Sequence, residues 1–121
     1  MNKDLTLRIK QLLLNIGIDP SISGYRMLET SIRFCYNDES YLKAITKRLY
    51  PDVAKKHEST ESRVERSMRH SIEKAYNLND SIYEKLPLPV EKNKCKFTNS
   101  TFIAACVETL KMEDLTEAES A

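Results

Sequence analysis

The sequence predicts an all-α protein, a compact bundle of about six helices containing a helix-turn-helix. Three observations lead there. Only two of the 121 residues are glycine. β-Branched residues never alternate with polar ones over a strand's length. Apolar residues instead recur three and four apart in several separate stretches, the spacing that puts them on one side of a helix.

Leu5, Ile9, Leu12, Leu13 and Ile16 form the first such stripe, with Gly17 as its C-cap and Asp19-Pro20 as a break. Leu28, Ile32 and Cys35 mark a second helix beginning near Gly24, ended by the turn signal Asn37-Asp38. Leu42, Ile45 and Leu49 predict a short third helix. Pro51 interrupts it or opens the next helix, Val53 to His57, at a first-turn position where a missing N–H costs nothing. A polar connection, Glu58 to Glu61, leads to a long helix over about residues 61–76, in which Val64, Met68, Ile72 and Ala75 make one buried stripe. Residues 77–97 read as irregular, with a short helix near Ser81–Leu86 as an option. Thr98 or Asn99 caps a last helix with Phe102, Ile103, Cys106, Val107 and Leu110 on one face. The expected organisation is one helical domain over 1–112 and an acidic, disordered tail over 113–121.

Net charge is only +1, but it is unevenly spread. From residue 108 onward five acids face Lys111 alone. Between residues 43 and 69 eight bases face four acids. Local clustering of base is what a polyanion feels. Three widely spaced cysteines (Cys35, Cys95, Cys106) contain no C-x-x-C, and His57 and His70 stand far from them, so neither a disulfide framework nor a zinc site is expected. The N-terminal residues carry Lys3, Asp4 and Arg8, unlike a signal peptide, and no apolar run approaches a membrane span. The expected setting is cytoplasmic. The two glycines build no phosphate loop, and no nucleophile–base pair suggests catalysis, so no enzyme and no cofactor are expected.

Residues 50–76, YPDVAKKHESTESRVERSMRHSIEKAY, are the informative stretch. A helix-turn-helix needs a small residue in its first helix, here Ala54, and an aliphatic one about ten positions later, here Val64. The usual turn glycine is missing, with His57 and Glu58 in its place, which implies a longer turn. On the second helix Arg66, Arg69, His70 and Glu73 lie three or four apart on an outward face. Long donors and acceptors in front of an apolar back suit a helix reading base edges: Arg can grip guanine O6 and N7, and Glu can accept from a cytosine amino group. Ser59, Thr60 and Ser62 supply hydroxyls for capping or phosphate contact, and Lys55 and Lys56 suit phosphates. An amphipathic helix with ionic pairs, Glu65 with Arg69 and Arg66 with Glu73, fits the same pattern. The residues alone leave both open.

At these residues the chain resembles the C-terminal effector domain of the sporulation master response regulator, the stage zero sporulation protein A family. The matching stretches are IDPSISGY (18–25), Tyr36-Asn37-Asp38, AITKRLYPDVAKK (44–56), SRVERSMRHSIE (62–73) and TNSTFIA (98–104), spread over about residues 7–112. The resemblance implies a transcription regulator that binds double-stranded DNA, as a homodimer on tandem boxes, with RNA polymerase or a full-length homologue as protein partners. It implies base contacts from Arg63, Glu65 and Arg66, and backbone contacts from Lys55, Lys56, Ser59, Thr60, Ser62, Arg69 and His70. Ser67 and Ser71 stand where the family has alanine, and KLPLP replaces a glycine-containing stretch. The family's receiver domain has no counterpart, so a free-standing paralogue or a fragment is expected, working on the nucleoid. The alternative function is a protein-interaction module that antagonises a full-length homologue.

Overall fold

Helix α2, Ser23–Asn37, is the centre around which the chain is wrapped. Its residues 27–32 and Cys35 are all buried, which requires neighbours on most of its circumference. In the computed structural model, which describes residues 2–78 and 98–120, these neighbours are α1 (Asn2–Ile16), α4 (Glu61–Leu78) and α5 (Asn99–Ser120), with α3 (Tyr50–Lys56) beside α4. The described residues contain five α-helices and no strand. The all-α class follows, and the expected short helix near Ser81–Leu86 lies outside the described residues.

The apolar stripes read from the sequence become the core. Leu5, Ile9, Leu13 and Ile16 of α1 are buried, as are Val64, Met68, Ile72 and Ala75 of α4. So are Phe102, Ile103, Cys106, Val107 and Leu110 of α5. Burial of a medium or large apolar side chain contributes about 1.5–3 kcal/mol, so these stripes carry the fold. Burial also pushes the Cys35 thiol up to about 12 and that of Cys106 higher still, leaving both protonated and unreactive.

Gly24 sets how closely α2 and α4 approach. A Cβ built there would stand 2.1 Å from Ser71 Oγ and 2.2 Å from the Ser67 carbonyl oxygen. Only a residue without a side chain admits this crossing, and Ser67 and Ser71 are the small residues opposite. Lys74 adds a tether from α4 to the loop before α2, its Nζ 2.7 Å from Asp19. That bond, with those from Ser21, holds the Asp19 carboxyl far below its ordinary range.

The third helix expected from Leu42, Ile45 and Leu49 is instead two single turns of different pitch. Glu39–Lys43 is a 3-10 turn, started by Asp38, whose side chain accepts from Ser40 N at 3.0 Å. Ala44 leaves helical dihedrals (φ −145°, ψ 49°) and breaks the run. Ile45–Leu49 is a π turn in which Leu49 N reaches back to Ala44 O at 3.1 Å. Pro51 accounts for the slip: it has no N–H to offer the preceding turn, and its ring crowds the carbonyl four residues back. It sits in the first turn of α3, as expected of a proline that opens a helix.

The acidic stretch is the other difference. The expected tail at 113–121 is helical as far as Ser120, a continuation of α5. Its carboxylates have partners on α1 that local composition does not reveal. Arg8 donates to Leu110 O at 3.0 Å and contacts Glu113 at 3.2 Å and Asp114 at 2.9 Å. Tyr36 donates to Asp114, and Lys111 lies over the Tyr36 ring.

Candidate nucleic-acid interface

The turn between α3 and α4 fixes the site. Residues 57–60 connect the two helices. Ser59 N bonds to Ala54 O at 2.8 Å and Glu58 N to Lys55 O at 3.3 Å, the two bonds that close a helix end around a left-handed residue. That residue is Glu58, with φ 51°, where glycine would be unstrained. So the missing glycine does not lengthen the turn; the glutamate adopts the glycine conformation. His57 caps α3, and its Nε2 lies 2.8 Å from Thr30 Oγ1 on α2. Desolvation lowers the His57 pKa, although Glu29 opposes the shift, and the ring is held neutral against α2.

The same turn starts α4. Thr60 is its N-cap: its Oγ1 accepts from Arg63 N at 3.2 Å and its carbonyl from Val64 N at 3.0 Å. Ala54 and Val64, the small and aliphatic pair expected at the helix crossing, are both buried, with Val53 beside them.

Val64, Met68 and Ile72 turn the back of α4 inward, and at 100° per residue Arg66 stands about opposite them. Arg63, Arg66 and His70 form an exposed outward ridge. Neither arginine makes an ion pair with a described residue. Glu65 lies on the flank of the helix, half-buried, with Arg69 four residues on. Arg69 Nε donates to Glu65 Oε2 at 2.8 Å, and Nη2 to Oε1 at 3.4 Å. Of the two ionic pairs allowed by the sequence, this one forms, and the bond raises the Arg69 pKa.

Lys55, Ser59, Thr60 and Ser62 line one shallow hollow at the N-terminus of α4, together with Pro51, Ala54 and the acidic Glu61. Lys56 is exposed on α3 outside that hollow. Glu65 and Arg69 belong to a second, larger hollow of about 740 Å³ along the flank of α4. The ten sequence-predicted residues therefore fall into a ridge, a hollow at its start and a hollow on its flank, with Lys56 to one side.

Asn99 was legible only as an alternative cap. Thr98 is the cap: its Oγ1 accepts from Thr101 N at 3.1 Å. Asn99 is thereby freed to point inward and is only 6% exposed. Its Nδ2 donates to Tyr50 OH at 3.1 Å and to the Glu65 carbonyl at 3.0 Å. One amide thus ties the start of α5 to α3 and to the backbone of α4 beneath Glu65. These partners are 49 and 34 residues away in sequence, so no local signal announces them.

Among the described residues no cluster of His, Cys, Asp or Glu could hold a metal ion, and no helix is long and apolar enough to cross a membrane. An all-helical domain with a helix-turn-helix and an outward ridge on its second helix whose arginines make no ion pair with a described residue is what the fold and site define. The family model for the sporulation initiation factor Spo0A C terminal matches residues 9–110. The chain belongs to that family of DNA-binding domains of transcription regulation in sporulation.

Proposed function

We propose that the chain is a sequence-specific transcription regulator that lays α4 in the major groove of a short box. The observation that carries this reading is the placement of Arg66: mid-ridge, opposite the buried stripe, with no ion pair to a described residue. A guanidinium in that position can offer its donors to a guanine edge, and Arg63 extends the same ridge. Glu65, oriented by Arg69, offers a fixed acceptor for a base amino group at the groove wall. Lys55, Lys56, Ser59, Thr60, Ser62, Arg69 and His70 serve the phosphodiester backbone. Thr60 keeps its hydroxyl proton for a phosphate while the oxygen caps the helix. The chain acts by binding, without a reaction of its own, on the chromosome in the cytoplasm, and as a homodimer where boxes lie in tandem.

Fluorescence anisotropy against a duplex carrying the family's box and against a scrambled duplex tests this. Wild type prefers the box. Arg66→Ala weakens box binding by about 1–3 kcal/mol and brings the two duplexes closer together. An Arg66→Ala protein that binds the box as wild type does would overturn the assignment.

A second reading, a module that antagonises a full-length homologue, draws on the exposed Leu7 and Leu14 of α1 and Met112 and Leu115 of α5. It predicts that Arg66→Ala leaves partner binding intact while Leu7→Ser with Leu14→Ser abolishes it.

A further inference from the structure

The basic cluster from 43 to 69 is larger than the interface just described. Its remaining members are Lys43, Lys47 and Arg48. Arg48 is engaged: it donates to Ser40 Oγ at 2.7 Å, approaches Asp38 at 3.5 Å and stacks over the Tyr41 ring. Lys43 and Lys47 are exposed and make no ion pair with a described residue. They come from the two single turns, Glu39–Lys43 and Ile45–Leu49, which Pro51 and Ala44 hold out of a regular helix.

Both lysines line the 740 Å³ hollow whose other wall is the Glu65–Arg69–Glu73 flank of α4 and whose floor includes Asn99. Three cations and two carboxylates face this space. Glu65 pairs with Arg69, and Glu73 acts on the same guanidinium through space, so the lining keeps a net charge of +1. The two lysines make no ion pair with either carboxylate. The hydroxyls of Thr98 and Ser100 stand at the same rim.

We infer that Lys43 and Lys47 form a phosphate-backbone site of their own, gripping the DNA strand that borders the major groove on the Glu65–Arg69 flank of α4. The inference rests on the proposed reading of α4 as the groove helix. With α4 in a groove roughly 12 Å wide, the phosphates of one strand must pass along that flank. The hollow gives them room, and the lysines supply charge without competing for the bases. The contact carries no sequence information: it positions the reading helix and adds salt-dependent affinity. Asn99, bonded both to the Glu65 carbonyl of α4 and to Tyr50, the residue that follows the Ile45–Leu49 turn, links the lysine-bearing wall to α4.

The test is the salt dependence of binding, measured by anisotropy from low to moderate salt on both box and scrambled duplexes. Each of Lys43→Gln and Lys47→Gln should flatten the slope of log K against log salt by about 1, and the pair by about 2, on both duplexes alike. The box-to-scrambled ratio should stay at its wild-type value. Lys10→Gln, the same charge change on α1, should leave the slope unaltered. Circular dichroism of each variant reports that the exposed substitutions leave the fold intact. An unchanged slope in the double variant overturns the inference, as does an equal flattening by Lys10→Gln, which would reduce the effect to net charge. Loss of the box-to-scrambled ratio in the lysine variants also overturns it. Failure of the underlying reading shows separately, as a wild-type protein with no preference for the box, and the slopes still decide whether these lysines hold phosphates.

Discussion

Replacing Gly24 by alanine tests the packing that presents α4. Helix propensity by itself favours alanine over glycine, by up to about 1 kcal/mol. The structure predicts the opposite sign. The new methyl would sit 2.2 Å from the Ser67 carbonyl oxygen and 2.1 Å from Ser71 Oγ, where ordinary contact begins beyond 3 Å. The side chain of Ser71 can rotate away, but the Ser67 carbonyl belongs to the middle of α4 and moves only with the helix. Separating the helices by about 1 Å disturbs every contact between them, and overpacking of this kind costs typically 1–3 kcal/mol. Because the obstruction is backbone, the upper end applies: a loss of about 3 kcal/mol. That is a drop in Tm of roughly 10 °C for a domain of this size. Urea unfolding followed by circular dichroism measures it. Ser71→Ala in the same background sharpens the test. Alone it should be neutral or stabilising by up to about 1 kcal/mol, because the buried Ser71 hydroxyl has no hydrogen-bond partner among the described residues. Combined with Gly24→Ala it removes one of the two obstructions and should recover only part of the loss. Stability within about 0.5 kcal/mol of wild type for Gly24→Ala, or full recovery in the double variant, would refute the reasoning.

Two further outcomes follow from the helix-turn-helix corner. Glu58→Gly should raise stability by about 0.5–1 kcal/mol in the same assay, since relief of a left-handed glutamate outweighs the added freedom of the unfolded chain. His57 makes stability depend on pH with a definite sign. Its folded pKa lies below the unfolded value near 6.5, so the unfolded chain takes up the proton first. Its contribution is complete above about 6.5 and is lost as pH falls through the folded pKa. His57→Gln should flatten the pH dependence of urea midpoints in that window; an unaltered profile would show that another group governs it.

The sequence made the four-residue stripe of α4 and the stripes of α1 and α5 legible because periodicity alone decides which side of a helix is buried. The cap at Thr98 was legible only as one of two choices, because a cap is a matter of one side chain's direction. The turns at 39–49 were not legible. Leu42, Ile45 and Leu49 have helical spacing, and the backbone departs from it under the constraint of Pro51. The helical state of the acidic end was hidden for another reason: its partners, Arg8 and Tyr36, come from α1 and α2, and composition within the segment reports only repulsion. Within the site, Arg66 could be placed from face and spacing, whereas Arg63 entered only through the family resemblance. The splitting of Glu65 from them onto the flank was hidden in the difference between 100° and 60° of helix rotation. Lys43 and Lys47 showed in the sequence as charge without position.

Helix α5 has its first residue against α4 and its acidic end against Arg8, fifteen residues further along its length. At 1.5 Å per residue the two ends stand about 22 Å apart. More than two Debye lengths at physiological salt separate them, so the carboxylates scarcely weaken the attraction of the basic end at contact. They act earlier. A molecule positive at one end and negative at the other experiences a torque in the field of a duplex, and the near-neutral total hides it. In the proposed mode of binding, that separation of charge favours encounters in which the α4 end, rather than the acidic end, meets the duplex.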